Sequence, residues 1–165
     1  MSTGPLDGQT PQHLGALLHG LRRVLSALFE TELRYGSPVF RSAHLPVQAE
    51  LVVAMGFTGD VDGWLALGMS RATAVAVAGT LTPDRSRAFA AMAGDGLDEV
   101  AHVLGSACGM SLHKRGYRMK LAQPLVAVDE PLQLPWPTPL VLEVPVDLPQ
   151  GRLLATIALK VHSAR

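Results

Sequence analysis

Residues 51–70, LVVAMGFTGDVDGWLALGMS, decide the fold. Counting from two residues earlier, apolar side chains alternate at Ala49, Leu51, Val53, Met55 and Phe57, which puts them on one face of an extended strand. The following TGDVDG, 58–63, is rich in glycine and aspartate and reads as a connection before WLALGMS resumes the apolar run. The stretch therefore predicts a β-hairpin.

Working outward, Pro11 to Leu33 carries Leu14, Leu17, Leu18, Leu21, Leu25, Leu28 and Phe29 at the three-and-four spacing of an amphipathic helix, ended by Gly36, Ser37 and Pro38. On the other side, Arg71 to Thr80 is alanine-rich and predicts a short helix stopped by TPD, with Asp84 placed to cap the next element. A long helix is expected from about Arg85 to His113, broken or thinned at Gly94 and Gly96. The last third reads as strands: PLVAV, then LVLEVPV, then GRLLATIALKV, in which Leu153, Ala155, Ile157, Leu159 and Val161 share a face. Pro145 implies an edge strand or a bulged one.

The two halves resemble each other in the order of their elements. LRRVLSAL from Leu21 is similar to LDEVAHVL from Leu97, LVVAMGF from Leu51 to LVLEVPV from Leu140, and GWLALG from Gly63 to GRLLAT from Gly151. The expected architecture is α+β: two pseudo-symmetric helix-plus-strands repeats that combine into one antiparallel sheet, with two long helices packed on one face. Residues 1–10 are expected to be a flexible N-terminus and 11–165 a single domain.

Composition narrows the function. The 165 residues are 48% hydrophobic and 17% charged, which suits one compact core. Fourteen Lys and Arg balance fourteen Asp and Glu, so net charge favours neither nucleic acid nor an anionic membrane. Cys108 is the only cysteine, which excludes an intrachain disulfide and fits a reducing compartment. The polar start MSTGPLDGQTPQ reads as neither a signal peptide nor an anchor, so none is expected, and the charge-free run from Ala72 to Pro83 is shorter than the roughly twenty residues needed to span a bilayer. The expectation is a cytoplasmic protein.

The central helix holds the candidate site. Asp95, Glu99, His102, Ser106 and His113 fall on one side at 100° per residue, opposite Leu97, Val100, Ala101, Leu104, Ala107 and Cys108. Such a polar stripe is the ordinary solvent face of a surface helix. Gly94, Gly96, Gly105 and Gly109 beside it leave room for a macromolecule to approach, at some cost in helix propensity. Periodicity leaves both readings open.

The runs GDVDGWLALGMS, DEVAHVLGSACGMSL and QPLVAV, in that order, resemble the CheX and CheC group of bacterial chemotaxis phosphatases, to which the flagellar-switch phosphatase FliY is related. The resemblance spans nearly the whole chain beyond the first ten residues. The family pattern is an acidic residue or Ser, three residues, Glu, two residues, Asn, and just over twenty residues later Pro. Asp95, Glu99 and Pro124 match it, with 21 residues between His102 and Pro124, and His102 stands where the family has Asn.

The resemblance implies a phosphatase (a hydrolase) whose helix docks on the phosphorylated receiver domain of a CheY-like response regulator and speeds loss of its aspartyl phosphate. No cofactor of its own is implied, because the receiver supplies the magnesium. Glu99 would pair with a receiver lysine, Asp95 and Ser106 would contact the partner, and His102 would hold the attacking water in place of the asparagine. Imidazole offers one donor and one acceptor in a flat ring, unlike a carboxamide on a shorter arm. The alternative is a noncatalytic receiver-binding protein of the same fold. The first-half helix has Arg23 and Ser26 at the positions of Glu99 and His102, so it is expected to be structural.

Other chemistry finds less support. Glu-x-x-His at 99 and 102 is also a di-iron ligand spacing, but no second copy accompanies it, so no metal site is expected. There is no Walker-type phosphate loop. His113, Lys114 and Arg115 suit a helix C-terminus, and His13, His19, His44 and His162 lie near element ends. Trp64 and Trp136 are expected in packing or at an interface, and a homodimer through sheet-edge pairing accords with the resemblance.

Overall fold

The computed structural model describes residues 15, 18–19, 22, 33–81, 109–110, 112–114, 116, 118–122 and 124–161. The strands are β1 (Arg34–Tyr35), β2 (Val39–Ser42), β3 (Leu51–Gly59), β4 (Val61–Met69), β5 (Met119–Leu121), β6 (Leu125–Val128), β7 (Leu140–Leu148) and β8 (Gly151–Val161). Among the described residues one helix is seen from end to end, α1 (Arg71–Leu81).

All eight strands form one antiparallel sheet in the order β1-β7-β8-β4-β3-β5, with β2 also on β7 and β6 also on β3. The hairpins β3–β4 and β7–β8 meet through β4 and β8 at the centre. Each hairpin's outer strand takes its edge partners from the other half of the chain: β1 and β2 pair with β7, β5 and β6 with β3.

The predicted hairpin is present, with two corrections. TGDVDG is not a six-residue connection, because β3 continues to Gly59, β4 begins at Val61, and only Asp60 lies between. The tip is held by Asp60, whose N–H donates to the Arg118 carbonyl at 2.7 Å and whose carboxylate accepts from the Arg118 N–H at 2.9 Å. Nor does β3 have a wet face: every residue from Leu51 to Phe57 is buried. The reason is a sheet covered on both sides.

On one side Leu51, Val53, Met55 and Phe57 join Leu65, Leu67, Leu142, Val144, Val146, Leu153, Ile157 and Leu159 in the main core. Helical residues cover it: Ala74 and Val77 of α1, with Leu112 and Leu18. On the other side Val52, Ala54 and Ala66 lie beneath Val47 and Leu134, with Trp64, Leu132 and Trp136 packed around them. Irregular chain after β2 and before β7 thus forms a second, smaller core, joined by the reciprocal Val47–Leu132 backbone bonds at 2.9 Å. Both tryptophans are packing residues.

Pro145 does not place its strand at an edge, since β7 pairs on both sides. The missing N–H acts on the neighbour instead. Gly36 donates to the Pro145 carbonyl at 2.8 Å, Pro145 cannot return the bond, and the register slips by one residue between β1 and β2. A Cβ on Gly36 would lie 2.5 Å from Pro145 Cγ, so the approach needs glycine. The opposite edge has the same slip between β5 and β6, just after Ala122 donates to the Gly56 carbonyl at 2.9 Å.

Helix α1 starts at a serine cap. Ser70 Oγ accepts from the Thr73 N–H at 3.1 Å, and the Glu50 carboxylate accepts from the Arg71 N–H, also at 3.1 Å. Thr73 packs against the β7–β8 turn, where Gly151 adopts φ 142° and a Cβ would come within 2.0 Å of Thr73 Oγ1. The predicted short helix is therefore present and one residue longer. The helices expected over 11–33 and 85–113 lie largely outside the described residues; Gly15, Leu18, His19, Arg22, Gly109, Met110, Leu112 and His113 are helical. Leu33 is not helical, and β1, β2 and β5 are additions to the predicted strands.

Candidate functional site

Asp95, Glu99, His102 and Ser106 lie outside the described residues, as do Cys108, Arg23 and Ser26. What is described is the ground on either side. Gly109, Met110, Leu112 and His113 are helical, with Leu112 fully buried in the main core and Met110 64% exposed. The helix stops where the Gly116 N–H donates to the His113 carbonyl at 2.9 Å, with Gly116 at φ 92°, a left-handed glycine stop of the kind common after helix C-termini. A Cβ at Gly109 would meet Met119 Sδ of β5 at 3.3 Å, so this helix end lies close on the sheet edge.

Pro124, the last residue of the family pattern, is half-buried in the register slip between β5 and β6. Without an N–H it asks nothing of the ladder at a point where the ladder is interrupted. The same edge carries Arg71, whose guanidinium binds Asp129 just after β6 while its backbone N–H binds Glu50. Asp129 has φ 59° and its N–H donates to the Glu50 carbonyl at 2.8 Å. Helix α1, the end of β6 and the start of β3 are thereby tied together.

On the first-half side, Arg22 stacks over the Tyr35 ring at 4.7 Å from its centroid, so this residue packs on β1 as well as facing solvent. Among the described residues no three His, Cys, Asp or Glu side chains gather to hold a metal ion. No helix among them is long and apolar enough to cross a membrane.

Comparison with solved structures shows which fold this is. The chain superposes on a chemotaxis protein CheX from Desulfovibrio desulfuricans with a TM-score of 0.78 at 17% identity, covering 90% of this chain and 99% of that one. The chain has the fold of the CheX and CheC-like chemotaxis proteins. A CheX-CheY-BeF3-Mg2+ complex from Borrelia burgdorferi gives 0.74 at 22% identity over 90% of this chain and 97% of that chain. FliY from Thermotoga maritima gives 0.61 at 16% identity over 96% and 92%. No family model and no curated protein sequence matches the chain. The CheX-like fold is thus retained at a distance where little of the sequence is, consistent with cores set by side-chain volume and pattern more than by identity.

Two features were not foreseen from the sequence. The sequence marks Arg71 only as the start of a helix, yet it joins three elements. Arg41 and Glu143 come from segments about a hundred residues apart, pair on the loop-covered face, and had no local signal at all.

Proposed function

We propose that this protein docks the polar stripe of its central helix on the phosphorylated receiver domain of a CheY-like response regulator and accelerates loss of the aspartyl phosphate. The observation that carries the reading is the fold shared with CheX proteins, including the CheX of a CheX-CheY-BeF3-Mg2+ complex. The direction of the helix end supports it. On the helix expected over 85–113, exposed Met110 would fall about 20° from Glu99 at 100° per residue, while buried Leu112 marks the opposite side.

In this reading Asp95 and Ser106 contact the receiver, Glu99 pairs with a receiver lysine beside the phosphate, and His102 positions the water. That water attacks phosphorus, the bond from phosphorus to the aspartyl oxygen breaks, and a carboxylate and inorganic phosphate leave. The gain is one of positioning, with magnesium and the phosphoryl group brought by the receiver. The protein works in the cytoplasm, where such receivers are. The exchange of edge strands between halves supports a duplicated helix-plus-strands unit, each contributing one long helix. Exposed Leu125, Val126 and Val128 on the edge strand β6 support homodimer formation through that edge.

A second reading is favoured by one observation, the histidine in place of the family asparagine: receiver binding without turnover. One experiment separates them. Phosphorylated, magnesium-loaded receivers from the same organism are mixed with the protein while phosphate release and binding are followed together. Faster release is expected. Binding at an unchanged release rate supports the second reading, and neither binding nor acceleration with any of them overturns the proposal.

A further inference from the structure

On the loop-covered face of the sheet, away from the helices, lies a cleft of about 190 Å3. Its floor is Val141 and Glu143 of β7 with Leu154 and Thr156 of β8, and its walls are Arg41 of β2, the segment 45–48 and Trp136. The second core beneath it is closed by Val47 and Leu134, so the cleft sits on packed structure. The strand pairings put Arg41 opposite Val141 and Thr156 opposite Glu143, which gathers charged and hydroxyl groups, while Trp136, Leu45 and Leu154 supply apolar lining.

The charged pair has unused capacity. Arg41 Nη1 donates to Glu143 Oε2, and among the described residues that is the one polar partner of either side chain. A guanidinium has five N–H donors and a carboxylate two oxygens. Held by each other, the pair still presents N–H groups of Arg41 and Oε1 of Glu143, a donor set and an anionic acceptor side by side. A ligand that satisfies both carries a carboxylate and an ammonium a few ångströms apart. The size is restrictive as well: a cavity of about 150 Å3 accommodates one benzene ring, so beside the ion pair this one has room for a single apolar side chain of about that size.

We propose that this cleft binds a free apolar α-amino acid, its carboxylate on Arg41, its ammonium on Glu143 and its side chain against Trp136 and Leu154. The site is separate from the central helix and stands independently of the receiver reading. Glu143 is more buried than Arg41 and fixes the guanidinium, so the site is preorganised and little side-chain entropy is lost on binding.

The test is a titration of the full chain with L-phenylalanine and L-leucine, followed by calorimetry and by backbone and indole NMR shifts. Saturable shifts are expected at Trp136 and across 41–48 and 141–143. 3-Phenylpropionate, which lacks the ammonium, and phenethylamine, which lacks the carboxylate, are expected to bind at least about tenfold more weakly than phenylalanine, as are both amino acids to Arg41→Met and Glu143→Gln. Leu45→Trp, at the exposed rim, is expected to weaken binding without touching the sheet. No heat and no shifts at millimolar amino acid, shifts confined to other residues, or equal binding of 3-phenylpropionate would each overturn the proposal.

Discussion

Pro38 and Pro124 hold the same place in the two outer ladders: each immediately precedes the inner edge strand, β2 or β6, where the register against the hairpin strand slips by one residue. The slips lie on opposite edges of the sheet. A proline there loses no ladder bond and narrows the unfolded ensemble, so Pro38→Ala and Pro124→Ala are each expected to cost about 0.5–1 kcal/mol. The double variant is expected to cost their sum within about 0.5 kcal/mol, because the sites share no partner. Urea unfolding of the four proteins checks both statements.

Gly36 and Pro145 make a tighter pair. A methyl at Gly36 would lie 2.5 Å from the Pro145 ring, and the Gly36 N–H bond to the Pro145 carbonyl would have to lengthen to admit it. Gly36→Ala is expected to cost about 1–3 kcal/mol. In Pro145→Ala the ring carbon is absent, so the same glycine substitution is expected to cost measurably less. A double-mutant cycle with no coupling would show that the glycine serves some other purpose.

These two pairs also show what a sequence can and cannot convey. Alternation at Leu51, Val53, Met55 and Phe57 was legible because side-chain direction has a fixed period of two along a strand. The burial of Val52 and Ala54 on the other face was not, since it depends on Val47 and Leu134 returning from distant chain. Pro145 announced a ladder fault correctly, but its strand lies inside the sheet and the fault falls on β1 and β2, a pairing that no local pattern encodes. The same limit hid Arg41 and Glu143. The stripe from Asp95 to Ser106 was legible as a candidate site through periodicity and family pattern, and lies outside the described residues.

Asp147 and Arg152 flank the β7–β8 turn, with Arg152 Nε donating to Asp147 Oδ1 at 2.8 Å. That hydrogen bond first, and then the charges of Arg152 and Arg34, hold the Asp147 carboxyl below the 3.8 ordinary for aspartate. A depressed folded-state value contributes stability above the unfolded value and loses it as pH falls through the folded one. The contribution is therefore expected to start falling near about pH 4 and to be gone only once pH is below the depressed folded value, and to be small because the pair is exposed and screened by salt. Carboxyl NMR titration is expected to show Asp147 moving up toward its ordinary value in Arg152→Gln.

The histidine at the asparagine position gives the sharpest test of the proposed chemistry. If His102 holds the water by accepting its proton, only neutral imidazole serves, so phosphate release is expected to rise with pH between roughly pH 5 and 8, where imidazoles lose their charge. His102→Asn cannot titrate there, and its profile is expected to flatten. Its rate is also expected to increase, by about tenfold or more, because a carboxamide restores the family's water-holding group on a shorter arm. Glu99→Gln is expected to lower both rates by weakening the contact with the receiver lysine. An unchanged profile in His102→Asn, with activity intact, would place the attacking water under the receiver's control and leave His102 a contact residue.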